Sequence, residues 1–220
     1  MKQRALVRAN EHQLVLIKEV HHRVKNNLQV LNSFLNLEKR AYKDKPNTII
    51  DHMQTRLTSL ALLHEKTYNT TDFTNINLRD YILDQDKQLR SLVGLRDGVE
   101  IKSVVDGDLN LTIEVITPLL LIVDELTMNA IKHAFPDKSK SDKMICKTIR
   151  RIDKDTAELV IRDNGVGIPD PDSVRANLGC EIVRSLVGQL DGELELIEHI
   201  DGTAYRLVFP VEMEHTIIGK

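Results

Sequence analysis

The chain has 220 residues, 41% hydrophobic and 29% charged, with 30 Lys and Arg against 33 Asp and Glu for a net charge of -3. That length allows one large domain or two small ones with a proper core, and the near-balanced charge gives no electrostatic reason for nucleic acid or an anionic membrane as partner. Its two cysteines, Cys146 and Cys180, have no metal-ligand spacing and read as reduced thiols. No run reaches the roughly 18 apolar residues of a membrane span, and the amino terminus MKQRALVRAN lacks the form of a signal peptide. The expectation is a soluble, cytoplasmic protein with no membrane segment in this chain.

Residues 1–13 are polar and helix-friendly and carry no cap, so the expectation is the end of a longer helix entering from an upstream domain in a fuller protein. From Leu14 to Leu35, the apolar residues Leu14, Ile17, Val24, Leu28, Leu31 and Leu35 step by threes and fours, with His21 filling the one gap. This is a heptad seam, the signature of a helix packed lengthwise on other helices. His21 falls on the seam and His22 one residue round, near the solvent edge. On the same face as His22 lie Lys18, Glu19, Lys25 and Asn26, three and four residues away. The helix runs to about Ala41 and ends in the turn cluster Lys43-Asp44-Lys45-Pro46-Asn47. A second helix follows from Thr48 to Tyr68, with Ile50, Met53, Leu57 and Leu60 again in heptad steps. Two such helices form an antiparallel hairpin with more apolar face than they can cover, so the expectation is a four-helix bundle in a homodimer.

At Asn69-Thr70-Thr71-Asp72 the composition turns polar, and the boundary between a domain at 1–70 and another at 71–215 is placed there. Leu78–Leu92 reads as a helix, Val99–Val105 as a strand and Thr112–Ala134 as a helix with Pro118 in its early turns and Pro136 beyond its end. The polar run Asp137–Lys143 is a solvated loop. Strands follow at Met144–Ile152 and Ala157–Arg162, then a glycine-bearing loop and a helix at Gly179–Leu190. Two last strands, Glu193–Glu198 and Thr203–Phe209, flank the Asp201-Gly202 hairpin signal. Helices interleaved with mostly antiparallel strands predict an α+β layer, one sheet with helices on one face.

Four segments carry chemistry-bearing residues. In ELTMNAIKH, Glu125, Asn129 and either Lys132 or His133 share one face of a helix. A carboxylate, an amide oxygen and a cation in a row suit a phosphate chain carrying Mg²⁺, although any amphipathic helix with a polar face could show the same row. In DNGVGIP, Asp163 leaves a strand end where it could accept a hydrogen bond from an exocyclic amine. Gly165 and Gly167 permit close approach of a flat ligand, while Asp-Asn-Gly is also ordinary turn chemistry. Gly179 opens a helix whose backbone N–H groups suit phosphate, and Thr203 follows the hairpin glycine where its hydroxyl could reach a base.

Taken in order, HHRVKNN, ELTMNAIKHA, DNGVGIP, LGCEIV and GTAYRLVFP resemble the sensor histidine kinases of two-component systems, in the subgroup with an H-R-x-K-N acceptor region related to the HWE kinases. The resemblance covers residues 14 to 210. It implies a helical-hairpin dimerisation and phosphoacceptor domain followed by a GHKL ATP-binding domain, the α+β Bergerat sandwich of a mixed sheet and helices. Position by position it implies His22 as phosphoacceptor and Asn26 as the polar residue one turn later. Glu125 matches the family's acid, Asn129 its Mg²⁺-binding asparagine, and Lys132 and His133 its phosphate-side residues. Asp163 matches the adenine-reading aspartate, Gly165 and Gly167 the flexible glycines beside it, Gly179 a thin second glycine box, and Thr203 the threonine near the adenine. Where many histidine kinases have an acid directly after the acceptor, this chain has Arg23, so the imidazole proton falls to Glu19 or Glu125.

The implied activity is autophosphorylation of His22 from Mg-ATP and transfer to an aspartate on a response regulator. Two rivals are a GHKL serine kinase or ATPase whose hairpin only dimerises, and a non-catalytic adaptor that keeps the bundle to bind regulators.

Overall fold

A computed structural model of the chain describes residues 32, 35, 50, 53–54, 56–63, 76–92, 98–107, 109–137, 141–168, 178–197 and 201–212. The chain separates into two compact units, Met1–Met53 and Gln54–Lys220. Almost all of the described residues belong to the second. Of the first expected helix only residues 32 and 35 are described, both helical, and His22 and Asn26 lie outside the described residues.

The second unit opens with a helical stretch, α1 (residues 56–63). Its two sides differ sharply. Arg56, Ser59 and Leu63, spaced by three and four, are buried, whereas Leu57 is 50% exposed and Leu60 only half-buried. Next come β1 (Ile76–Asn77) and α2 (Leu78–Leu92). The Asn77 side chain accepts the N–H of Asp80 at 3.2 Å and so caps the helix. Leu78, Tyr81, Ile82, Gln85, Asp86 and Leu89 are buried at helical spacing, as an amphipathic helix requires.

The main sheet has five strands in the order β2-β4-β5-β7-β6. They are β2 (Glu100–Val105), β4 (Met144–Arg151), β5 (Thr156–Asp163), β6 (Glu193–Ile197) and β7 (Ala204–Pro210). The β2–β4 pair is parallel and the other three are antiparallel, so the sheet is mixed as expected. A parallel neighbour needs a crossover, supplied by α3 (Ile113–His133). The strand β3 (Asn110–Leu111) pairs with β1 in a small second sheet, too short on both sides to leave a periodic pattern in the sequence. The last helix is α4 (Leu178–Gln189).

One face of the sheet is the core. Ile145 and Ile149 of β4, Ala157, Leu159 and Ile161 of β5, and Leu207 and Phe209 of β7 are all at most 3% exposed. Ile149 lies across from Leu159, Leu159 from Leu207 and Ala157 from Phe209 in the strand registers. Helices cover this face: α2 packs on β2, α3 on β5 and on α4, and α4 on β6. The other face carries charge, with Glu158 accepting from Arg150 at 2.6 Å and also from Arg206, which reaches on to Glu195 at 2.8 Å. These arginines hold the Glu158 carboxyl below its ordinary range against the opposing effect of burial.

The alternative of an ordinary amphipathic helix with a polar face along its length does not describe α3. It lies in the middle of the domain, and from Val115 through Met128 only Thr117 escapes full burial. A helix buried all round must satisfy its polar groups internally, and Asp124, Glu125 and Thr127 are among the buried residues.

Candidate functional site

β5 is flanked on both sides by hydrogen-bonded strands, so its end is a fixed platform, and Asp163 is its last residue. The main chain of Asp163 donates to Thr203 O at 2.9 Å. In return its Oδ1 accepts the N–H of Thr203 at 3.1 Å and of Gly165 at 2.8 Å. One carboxylate oxygen is therefore occupied by backbone donors. Among the described residues none donates to the other, Oδ2, which leaves it for a ligand's N–H.

The loop that follows is tied down on two sides. The Val166 N–H donates to Ala134 O, just past the end of α3, at 2.9 Å. The Asn164 side chain accepts from Met144 N at 2.8 Å and donates to Asp142 O at 2.6 Å. Two glycines are required by close approach. A Cβ at Gly165 would run into the carbonyl and methyl of Ala134, and one at Gly202 would collide with the carbonyl and carboxylate of Asp163. Gly202 also has φ of 92°, in the region that favours glycine. Gly167, with φ of 73°, lies beside the carbonyl of Gly202. Asp163, Gly165, Gly167 and Thr203, expected together from four separate positions, are thus adjacent in space.

The α3 residues approach this loop from one side. Asn129 is half-buried and Lys132 and His133 are exposed or nearly so, in the last turn and a half before Ala134 meets the loop. Gly179 lies in the first turn of α4, as expected of a glycine that opens the helix. Its neighbour Cys180 is half-buried. Burial pushes the Cys180 thiol up, with Glu125 adding to the effect and Arg184 opposing it. Tyr205 is pushed up to about 12 by burial and by the negative charges of Cys180 and Asp163. Tyr205 is therefore within electrostatic reach of both Cys180 in the first turn of α4 and the carboxylate at the end of β5. It was absent from the expected site, although it lies two residues beyond Thr203 on the same strand face.

Glu125 is placed differently from its expected neighbours. Its Oε2 accepts from Arg56 Nη2 of α1 at 2.6 Å, and the two side chains are 9% and 3% exposed. Asp124, one residue before it, is fully enclosed, with Gln85 Nε2 donating to its Oδ1 at 2.7 Å. Desolvation pushes its carboxyl up to about 7, while Ser59, Lys147 and Arg56 pull it down and Glu125 pushes it further up. Tyr81 donates its hydroxyl to Ser59 O, and Lys147 pairs with Asp86 in the same buried layer. Arg56 and Asp124 were both missing from the expected site. No local pattern marks an arginine that pairs 69 residues away.

The donor set fits a divalent cation carried by phosphates. No group of three or more His, Cys, Asp or Glu among the described residues could hold a metal by itself. The Asn129 amide oxygen offers the single hard protein ligand that a hydrated Mg²⁺ on a phosphate chain needs. Among the described residues no helix is long and apolar enough to cross a membrane.

Comparison with known proteins covers both parts of the chain. Residues 19–93 match a family described as "Histidine kinase". Residues 114–213 match one described as "Histidine kinase-, DNA gyrase B-, and HSP90-like ATPase". The sensor histidine kinase PdtaS of Mycolicibacterium smegmatis is 34% identical over 81% of this chain and 36% of its own length. Blue-light-activated histidine kinase 2 of Erythrobacter litoralis is 27% identical over 92% of this chain and 59% of its own. The solved structure of the Erythrobacter litoralis EL346 blue-light activated histidine kinase superposes with a TM-score of 0.66 at 26% identity, over 89% of this chain and 62% of that one. The chain thus spans little more than a third of the length of the first of these relatives.

Proposed function

From the premise that this chain belongs to the sensor histidine kinases, with a histidine kinase region joined to a GHKL ATPase fold, we propose that it transfers the γ-phosphoryl group of ATP to His22. The observation that carries this reading is Asp163, with Oδ1 occupied by two backbone N–H groups and Oδ2 open at the end of a fixed strand. That arrangement suits the exocyclic amine of adenine. Gly165, Gly167 and Gly202 keep the wall beside it free of side chains, and Thr203, just before β7, and Tyr205, within it, complete it. The phosphates extend toward Asn129, Lys132 and His133 and toward the N–H groups around Gly179.

Asn129 would hold Mg²⁺, whose charge offsets that of the phosphates when it is bound. An imidazole nitrogen of His22 forms the new P–N bond as the bond from the γ-phosphorus to the β–γ bridging oxygen breaks and ADP leaves. The imidazole N–H proton goes to Glu19 or Glu125, with Asn26 one turn beyond the acceptor. With little covalent work for the protein to do, positioning and electrostatics supply the rate. A neutral His22 is available near pH 7.

In this reading residues 1–70 supply the acceptor and 71–215 the nucleotide lobe, with α1 part of the arm by sequence and packed into the lobe by structure. The chain works as a homodimer through the hairpin. Support comes from Ile50 and Leu57, seven residues apart and 52% and 50% exposed in the single chain. The phosphoryl group passes on to an aspartate of a response regulator, in the cytoplasm.

Incubation with γ-³²P ATP is expected to label the chain on a residue whose phosphate is lost in acid. Label should be absent from His22→Gln and from Asn129→Ala, and mixing the two variants reports transfer between subunits. Acid-stable label would instead support a serine kinase or ATPase, and absence of nucleotide binding would support an adaptor.

A further inference from the structure

The buried layer around Glu125 has a feature that nucleotide binding does not require. The inner side of α1 docks on the lobe through Arg56 on Glu125, Ser59 O on the Tyr81 hydroxyl, and one aliphatic anchor, Leu63, at 2% exposure. A helix held mainly by polar contacts gains little apolar burial, and such docking is of the kind that opens. The buried ion pair fits this, because desolvation of both charges offsets most of their attraction. The other side of the same helix carries Leu57, exposed and in heptad register with Ile50. A turn of the helix by about one residue, roughly 100°, would therefore exchange one set of contacts for the other.

While the pair is closed, the Glu125 carboxylate is 9% exposed and neutralised by a guanidinium 2.6 Å away. In that state it can neither accept a proton from an imidazole nor face a phosphate. We propose that Arg56 is a clasp that withholds Glu125 from the reaction, and that undocking of α1 frees this carboxylate and sets the rate of autophosphorylation. This rests on the phosphoryl transfer proposed above and adds its control point. Arg56 touches no reacting atom and holds the Glu125 carboxylate directly, so its loss should raise activity, an effect that damage to the fold would not produce.

The test is the initial rate of acid-labile labelling in Arg56→Met, with binding of a fluorescent ATP analogue measured alongside. The expected result is a rise of about fivefold or more with analogue affinity within twofold of wild type, and wild-type behaviour restored in Arg56→Lys. A folded Arg56→Met that binds the analogue normally and labels no faster than wild type overturns the clasp. Should Arg56→Met fail to fold, Tyr81→Phe loosens the same docking by one hydrogen bond. It is expected to label about twice as fast, and an unchanged or slower rate again overturns the proposal. A wild-type chain that forms no acid-labile phosphate defeats the phosphoryl-transfer reading itself, which separates the two failures.

Discussion

The end of β5 and the layer beneath α3 both bury carboxylates, but satisfy them in opposite ways. At the strand end, Asp163 is held by the N–H groups of Gly165 and Thr203, one of them two residues away. Beneath α3, Glu125, Asp124 and Asp86 depend on Arg56, Gln85 and Lys147, from 39 to 69 residues distant. Backbone donors come with the fold and leave an oxygen open for a ligand. Side-chain partners must be brought together by packing, and they close the carboxylate off. A site built in the first way binds; a site built in the second way is a joint whose occupancy can change.

The largest expected effect comes from removing one charge of the packed layer. Lys147→Met leaves Asp86 buried and unpaired, and should lower unfolding stability by about 3–5 kcal/mol in denaturant titration. The double variant Lys147→Met/Asp86→Leu should recover most of that loss. If the single variant is as stable as wild type, the layer is not held by its ion pairs.

Asp124 sharpens the same point through pH. Its folded-state value, about 7, is raised above the ordinary carboxyl value of 3.8. Protonation therefore favours the folded state: the contribution is full below the unfolded value and is lost as pH rises through about 7. Wild-type stability should fall between these two values and level off above, losing about 1.4 kcal/mol for each pH unit crossed. Asp124→Asn should flatten that slope and be the more stable protein at alkaline pH, as read by denaturant titration across the range.

At the strand end the effects are smaller on stability and larger on binding. Gly202→Ala places a methyl against Asp163 at a φ that alanine adopts at a cost of about 1–3 kcal/mol. Affinity for an ATP analogue, measured by fluorescence, should fall at least tenfold. The smallest expected change is Asn164→Ala, which removes two hydrogen bonds at the loop's edge. A loss of about 1–2 kcal/mol in stability and a few-fold weaker binding are expected. If Asn164→Ala weakened binding as much as Gly202→Ala, the loop and not the strand end would be the rigid part.

The same division separates what could be read from the chain. The helices over 78–92, 113–133 and 178–189 and the five main strands emerged from apolar periodicity and turn residues, within a residue or two of their observed limits. The strand-end cluster was legible because short-range chemistry builds it. An aspartate ending a strand, a glycine two residues on and a hairpin glycine each signal their own local geometry. Even Tyr205 could have been found, by counting two residues along the strand from Thr203.

The sequence by itself determined the local elements, the order of the motifs and their likeness to a known family, because periodicity, capping and turn conformation act over a few residues. Only tertiary structure decided that α3 would be buried all round, that Asp124 would face no dedicated cation, and that Arg56 would close over Glu125. Those outcomes depend on which side chains desolvate together. Desolvation is a property of packed neighbours from distant parts of the chain, so no local stretch records it.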